Sequence, residues 1–157
     1  MVGEKTVMRV AVGTDHGGYH LKADLLRRLR SSGYQVTDAG TFSPEPCDYP
    51  KIGAKVAKAV STGKVQRGVL LCKSGAGMAI VANKFPGVRA AVCHTVALAK
   101  HAREHNDSNV LVLAAHHSTP SKARAILEAW LTAPFAGGRH ARRVRQIERI
   151  ERAILCK

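Results

Sequence analysis

The chain contains few aromatic side chains. Only three Phe, three Tyr and one Trp occur among its 157 residues, although hydrophobic residues make up 45% of the chain. Aliphatic side chains must therefore fill the core, and this hydrophobic content excludes a disordered protein. Proteins that bind single-stranded nucleic acid stack bases on aromatic rings, so the scarcity argues against nucleic acid as a partner.

Acidic side chains are also few. Eleven Asp and Glu stand against 25 Lys and Arg, which gives a formal net charge of +14. A nucleic-acid binder, an enzyme for phosphorylated substrates and a protein with a solvated basic surface all fit this charge. No helix-turn-helix, zinc-finger or RNA-recognition signature accompanies it, and the charge alone leaves these readings open.

The four cysteines form no Cys-x-x-Cys pair, which argues against structural zinc. No apolar run approaches the length of a membrane span. No apolar segment of the kind found in secretory signals follows Met1. We therefore expect a reduced, cytoplasmic protein that does not enter membranes.

The chain does contain a regular alternation of β-rich and helical segments. The β-rich segments are 7–13, 34–38, 68–72, 88–93 and 109–113. The amphipathic segments lie near 19–32, 51–62, 77–84, 95–105, 119–132 and 139–154. This alternation predicts an α/β fold, a three-layer Rossmann-like sandwich with a five-stranded parallel sheet and a C-terminal helical extension. We expect residues 1–157 to form a single domain.

The most informative stretch is 68–78, Gly-Val-Leu-Leu-Cys-Lys-Ser-Gly-Ala-Gly-Met. It predicts a buried strand, a tight loop and the start of a helix. Cys72 ends the strand, and Gly75 and Gly77 let backbone N–H groups turn toward an anion or an oxyanion. The same surroundings favour a reactive thiolate. A tight turn beside a buried, inert thiol is the structural alternative.

Ligands of open α/β folds bind beyond the carboxyl ends of the strands. We assign the loops 13–18, 39–50, 72–77, 105–109 and 114–118 to that edge. Each polar residue there has a structural explanation of its own, such as capping by Asp15. Together they predict one functional edge that carries Asp15, His16, Asp48, Tyr49, Cys72, Ser74 and His105.

The last helical segment opens with Gly-Arg-His-Ala-Arg-Arg. Arg139 and Arg143 are four residues apart and share a helix face. Two guanidinium groups one turn apart can hold a phosphate through forked donors. The other arginines of this helix fit a solvated basic face.

Taken in order, these motifs resemble type B ribose-5-phosphate isomerase and its relatives that act on galactose 6-phosphate and other sugar phosphates. The resemblance runs from about residue 8 to about residue 152. It rests on Gly13-Thr-Asp15-His16, Asp48-Tyr49-Pro50, Cys72-x-Ser74-Gly75-x-Gly77, Ala82-Asn83-Lys84, Gly87-Val-Arg89-Ala90, His105-Asn106-Asp107-x-Asn109 and Gly138-Arg139-His140-x-x-Arg143.

The resemblance implies an aldose–ketose isomerase that needs no metal or other cofactor and interconverts ribose 5-phosphate and ribulose 5-phosphate. It assigns Cys72 as the base, Ser74 to proton handling on the sugar oxygens and His105 as the acid that opens the furanose ring. Backbone N–H groups of 73–77 then hold the enediolate. The remaining expected contacts to sugar or phosphate are Asp15, His16, Tyr49, Lys73, Gly75, Gly77, Asn106, His116, Arg139 and Arg143.

The resemblance also implies a homodimer or homotetramer whose active sites form at a subunit interface, with helix 139–154 at that interface.

Two residues depart from the family pattern. Lys73 stands where the Cys-Gly-Thr-Gly version has glycine, and His116 stands near an arginine that many members carry. A positive φ at Lys73 would strain its backbone. Both changes leave open an isomerase of another aldose phosphate, with four or six carbons. A non-catalytic phosphate-binding or nucleic-acid-binding module on the same fold is the alternative from another class.

Overall fold

The computed structural model describes residues 7–156, in which five strands alternate with six helices. The strands are β1 (Arg9–Thr14), β2 (Gln35–Asp38), β3 (Arg67–Cys72), β4 (Ala90–Val92) and β5 (Val110–Ala114). The helices are α1 (Tyr19–Ser31), α2 (Tyr49–Ser61), α3 (Ala76–Ala82), α4 (Val96–Asn106), α5 (Pro120–Thr132) and α6 (Gly138–Leu155). Short 3-10 turns at His16–Gly18 and Ala115–His117 follow β1 and β5. The single domain expected for residues 1–157 includes residues 1–6 and 157, which lie outside the described residues.

All strand pairs are parallel, and the strand order is β2-β1-β3-β5-β4. The predicted α/β fold with a five-stranded parallel sheet is therefore confirmed. Every residue of β5 is buried, as is every residue of β3 after Arg67. The sequences of such strands are continuous apolar runs, because helices cover both faces of the sheet and bury every side chain.

Two hydrophobic layers sandwich the sheet. One contains α1, α4 and α5, with Leu25, Ile126 and the fully buried Trp130 at its centre. The other contains α2 and α3, with Val56 and Met78 fully buried. Helix α6 packs against α4, and Val144 is its buried residue. None of the helices in 7–156 is both long enough and apolar enough to cross a membrane.

Helix α2 begins two residues earlier than its apolar periodicity indicates. Pro50 occupies the first turn, where its missing N–H costs no hydrogen bond. As a result Tyr49 is the first residue of a helix, which fixes the direction of its side chain.

The strand order reverses between β1 and β3. The chain steps from β1 outward to β2 and then returns to place β3 on the other side of β1. Such a reversal opens a crevice at the carboxyl ends of the two strands, because their following loops diverge. The loops after Thr14 and Cys72 border this crevice.

Candidate active site

The loops after β1 and β3 are in direct contact. The Thr14 hydroxyl donates a hydrogen bond to the Leu71 carbonyl oxygen at 3.1 Å. A Cβ atom on Gly17 would lie 2.7 Å from Cγ of Lys73, so only glycine lets the Lys73 stem pass here. The expected residues Asp15 and His16 are thereby brought beside the cysteine loop.

Cys72 is 5% exposed and ends β3. Its Sγ accepts a hydrogen bond from the Gly75 N–H at 3.1 Å. Gly75 has a φ of +83°, a left-handed conformation that favours glycine and turns this N–H back toward the sulfur. An N–H donor stabilises negative charge on the sulfur atom.

The loop then leads directly into α3. The Ser74 hydroxyl accepts the Ala76 N–H at 3.3 Å, so its oxygen lies at the start of the helix. Gly77 faces the ring of Tyr49, since a Cβ there would lie 2.6 Å from two ring carbons. Tyr49 is 38% exposed, and its ring therefore forms a wall of the crevice above the cysteine loop.

Asp15 and His16 are both held by backbone groups. Asp15 is buried, and its Oδ1 accepts the Gly17 N–H at 2.9 Å. Nδ1 of His16 accepts the Cys47 N–H at 3.3 Å. In a neutral ring the proton then lies on Nε2, which makes Nε2 a hydrogen-bond donor for a ligand. Asp15 thus caps the 3-10 turn that follows β1, which is the structural explanation that the sequence offered for this residue.

Lys73 and His116 lie side by side at the same edge. The His116 N–H donates to the Lys73 carbonyl oxygen at 3.2 Å, and both side chains are exposed. Asp107 is the non-glycine residue with a positive φ among residues 7–156, so the backbone strain considered for Lys73 does not occur. Lysine fits this position with no backbone cost.

The expectation that all site loops share one sheet edge is wrong for 105–109. This segment follows α4 and enters β5, so it lies at the amino ends of the strands. The Asn109 carbonyl oxygen accepts the Gly68 N–H at the start of β3, whereas Cys72 ends that strand beside Ala114. The four steps from Gly68 to Cys72 span roughly 13 Å. His105 and Asn106 are thus separated from Cys72 by the depth of the sheet.

The first turn of α6 joins His105 at this second edge. The rings of His105 and His140 stack with centroids 4.2 Å apart and an interplanar angle of 3°. The His101 ring lies 4.8 Å from that of His105. Exposed Arg139 and Arg143 flank His140 on the same helix. The partial burial of His140, with the positive charges of His105, Arg139 and Arg143, lowers its pKa.

The expected site residues therefore form two groups. The cysteine-edge group comprises Asp15, His16, Tyr49, Cys72, Lys73, Ser74, Gly75, Gly77 and His116. The histidine-edge group comprises His105, Asn106, Arg139 and Arg143. The sequence motifs gave no role to His101 and His140. His101 and His105 are four residues apart, so the sequence alone could have placed them together on one helix face. The stacking of His140 on His105 depends on how α6 packs and has no such signal in the sequence.

Cys93 illustrates a thiol without these features. It is fully buried in the core, and this burial raises its pKa to about 11. A thiol of this kind remains protonated at neutral pH and acts as a small apolar side chain. Within 7–156, no three or more His, Cys, Asp or Glu side chains are grouped in a way that could hold a metal ion.

Comparisons with known proteins identify the family of this chain. The family model described as Ribose/Galactose Isomerase matches residues 10–147. Ribose-5-phosphate isomerase B of Escherichia coli strain K12 is 43% identical over 143 residues, which cover 91% of this chain and 96% of the relative. D-erythrulose-4-phosphate isomerase of Pectobacterium atrosepticum is 40% identical over 145 residues, 90% of this chain and 93% of the relative.

A solved structure gives the same result for the fold. Ribose-5-phosphate isomerase B of Clostridium thermocellum superposes with a TM-score of 0.91 at 46% identity, covering 94% of this chain and 99% of that one. The family match and these identities extend over nearly the whole chain. The chain therefore belongs to the ribose/galactose isomerase family, whose members are sugar-phosphate isomerases.

Proposed function

We propose that this chain interconverts ribose 5-phosphate and ribulose 5-phosphate. The observation that carries the proposal is the thiol of Cys72 at the end of β3, with the Gly75 N–H on its sulfur and the start of α3 beside it. A base next to backbone donors suits the removal of a weakly acidic proton adjacent to a carbonyl group. The similarity to ribose-5-phosphate isomerase B of Escherichia coli supports the choice of substrate.

The Cys72 thiolate takes the proton from C2 of the open-chain aldose, and the electron pair moves into a C1–C2 double bond to give an enediolate. The thiol then returns the proton to C1, while a proton moves from the C2 oxygen to the C1 oxygen, and the ketose results. The Ser74 hydroxyl lies at the start of α3 and assists this exchange between the oxygens. No atom is gained or lost, so the reaction needs no redox partner.

Backbone N–H groups of 73–77 hold the negative charge that develops on the sugar oxygens. Donors of this type act strongly because the fold has already oriented them, and each contributes roughly 3–4 kcal/mol in other enzymes. The positive φ of Gly75 is what turns this stretch of backbone inward. Nε2 of His16 and the Tyr49 hydroxyl supply further contacts to the sugar.

The histidine-edge group completes the site from a second copy of the chain. His105 protonates the ring oxygen to open the furanose, and Arg139 with Arg143 binds the phosphate. An acid must come within hydrogen-bond reach of its target, at most about 3.2 Å. The depth of the sheet, roughly 13 Å, lies between His105 and Cys72 of one chain. We therefore propose a homo-oligomer in which each site combines the two groups from different subunits.

The apolar side of α6 supports this assembly. Ile147, Ile150 and Ile154 are between 48% and 65% exposed and line a cavity of about 620 Å³ together with Val88. Apolar side chains left open in this way are typical of surfaces that another subunit covers. The surface begins with Ile147, about one turn after Arg143, so a subunit seated there would lie close to the phosphate-binding arginines.

Replacing Arg139 or Arg143 with alanine should raise KM for ribose 5-phosphate roughly 10- to 150-fold, since a charge-assisted hydrogen bond contributes about 1.5–3 kcal/mol. Steady-state kinetics and inhibition by inorganic phosphate measure the effect. Arg149→Ala is the matched control, because it removes the same charge further along α6. Unchanged KM and phosphate inhibition in both variants would refute the phosphate contact.

A four-carbon substrate is the second candidate. It is favoured by the 40% identity to D-erythrulose-4-phosphate isomerase of Pectobacterium atrosepticum. Lys73 and His116 are exposed neighbours at the edge that carries Cys72, where a change of side chain can alter the space at the sugar end. A panel of aldose phosphates with four, five and six carbons, assayed for ketose formation, tests the choice. We expect the highest kcat/KM for ribose 5-phosphate, and a higher value for the four-carbon sugar would reverse the assignment.

A further inference from the structure

A second cavity, of about 470 Å³, lies beside the edge strand β2. No residue of the cysteine-edge or histidine-edge group lines it. Helix α2 packs against β1 and β3 and leaves this face of β2 open, so Thr37 is exposed there. Small side chains form the floor of this groove, namely Ala11, Thr37, Ala39 and Ala59.

Three exposed lysines line the groove. Lys55 and Lys58 lie three residues apart on α2, and Lys64 follows the end of that helix. Across the described chain, none of the three forms an ion pair with a carboxylate. Asp38 also lines the groove, but Lys22 Nζ donates to its two oxygens at 2.7 and 2.8 Å. The groove therefore retains three uncompensated positive charges.

Phe42 stands at the same groove and is 71% exposed. Its ring lies over Gly40, where a Cβ would be 3.4 Å from a ring carbon. Lys22 Nζ lies 5.0 Å from the ring centroid and also donates to the Thr41 carbonyl oxygen at 2.6 Å. The buried Lys22 thus fixes the turn that presents Phe42, and most of the ring faces solvent.

This combination differs from a solvated basic surface. The chain has only three Phe, and a Phe42 ring left in solvent does not gain the favourable free energy of burial. An exposed ring next to unpaired ammonium groups matches a ligand that has both a planar apolar part and negative charge. A simple sugar phosphate would use the lysines but has no planar group to stack on the ring.

We propose that the groove binds a nucleoside phosphate, with the base stacked on Phe42 and the phosphates held by Lys55, Lys58 and Lys64. Stacking of bases on aromatic rings is favourable for every base, and lysine ammonium groups are common phosphate ligands. The volume lies within the range of small-molecule sites. This site is distinct from the isomerase site and does not depend on it.

Isothermal titration calorimetry of the full chain with ATP, without divalent cations, tests the proposal. We expect a Kd below about 1 mM, and at least tenfold weaker binding of adenosine and of inorganic tripolyphosphate. Phe42→Leu keeps an apolar side chain but removes the ring, and it should weaken ATP binding about tenfold. Lys58→Met should also weaken it. Lys51→Met is the matched control, because Lys51 is an exposed lysine of α2 that does not line the groove.

Four results would overturn the proposal. One is no ATP binding at millimolar concentration, and another is tripolyphosphate binding as tightly as ATP, which indicates attraction of anions alone. A third is loss of ATP binding in Arg143→Ala but not in Lys58→Met, which indicates the sugar-phosphate site. The fourth is a change of oligomeric state in Phe42→Leu by sedimentation, which indicates an interface between copies. Circular dichroism establishes that each variant is folded.

Discussion

Cys72→Ala should lower kcat/KM for ribose 5-phosphate by about 10²–10⁴-fold, because a positioned base contributes that factor to a proton transfer. The reaction cannot begin without a group that accepts the C2 proton. The neighbouring Ser74 hydroxyl cannot replace Cys72 in this role, because a hydroxyl group is far less basic than a thiolate. The substitution removes one sulfur atom from a small buried side chain. We therefore expect the variant to fold and to bind inorganic phosphate as before.

Cys72→Ser tests whether a hydroxyl at this position can replace the thiol. It places a hydroxyl near the Gly75 N–H in place of the more acidic thiol, so its activity should remain near that of the alanine variant. Cys156→Ser is the matched control, since Cys156 is exposed on the last turn of the chain and should leave kcat/KM unchanged. Retention of more than a tenth of the normal rate in Cys72→Ala would remove this residue from the role of base.

Much of the fold could be predicted because its signals are local. The apolar runs before Cys72 and around Val112 are long enough for strands and too short for helices, and glycine or polar residues bound them. The order of strand and helix then restricts the sheet to a parallel one. The position of Cys72 followed directly, since a residue that ends a strand of such a sheet lies at its carboxyl edge.

The order of strands and helices also predicts that the site residues lie at two different edges of the sheet. The family motifs do not indicate this, because they treat all these residues as one site. A segment that leads from a helix into a strand lies at the amino end of that strand, as His105 does before β5. The contact between His105 and His140 was not predictable in this way. It depends on the loop after α5 folding back so that the Ala136 N–H donates to the Glu104 carbonyl oxygen at 3.0 Å.

The separation of the two groups leads to a prediction about mixed subunits. We expect the Cys72→Ala variant and a His105→Asn/Arg143→Ala double variant each to be nearly inactive. When they are denatured together, mixed in equal amounts and refolded, activity should return to about a quarter of the normal value. Random pairing makes half of the dimers mixed, and each mixed dimer has one intact site and one site that carries all three substitutions.

The control for this experiment is a mixture of Cys72→Ala with Cys72→Ser. Both variants lack the same half of the site, so no pairing of subunits can restore it, and activity should stay at the level of the separate proteins. If His105 and Cys72 acted within one chain, the first mixture would fail in the same way as the control. Recovery in the first mixture alone therefore requires that Cys72 of one subunit works with His105 and Arg143 of another.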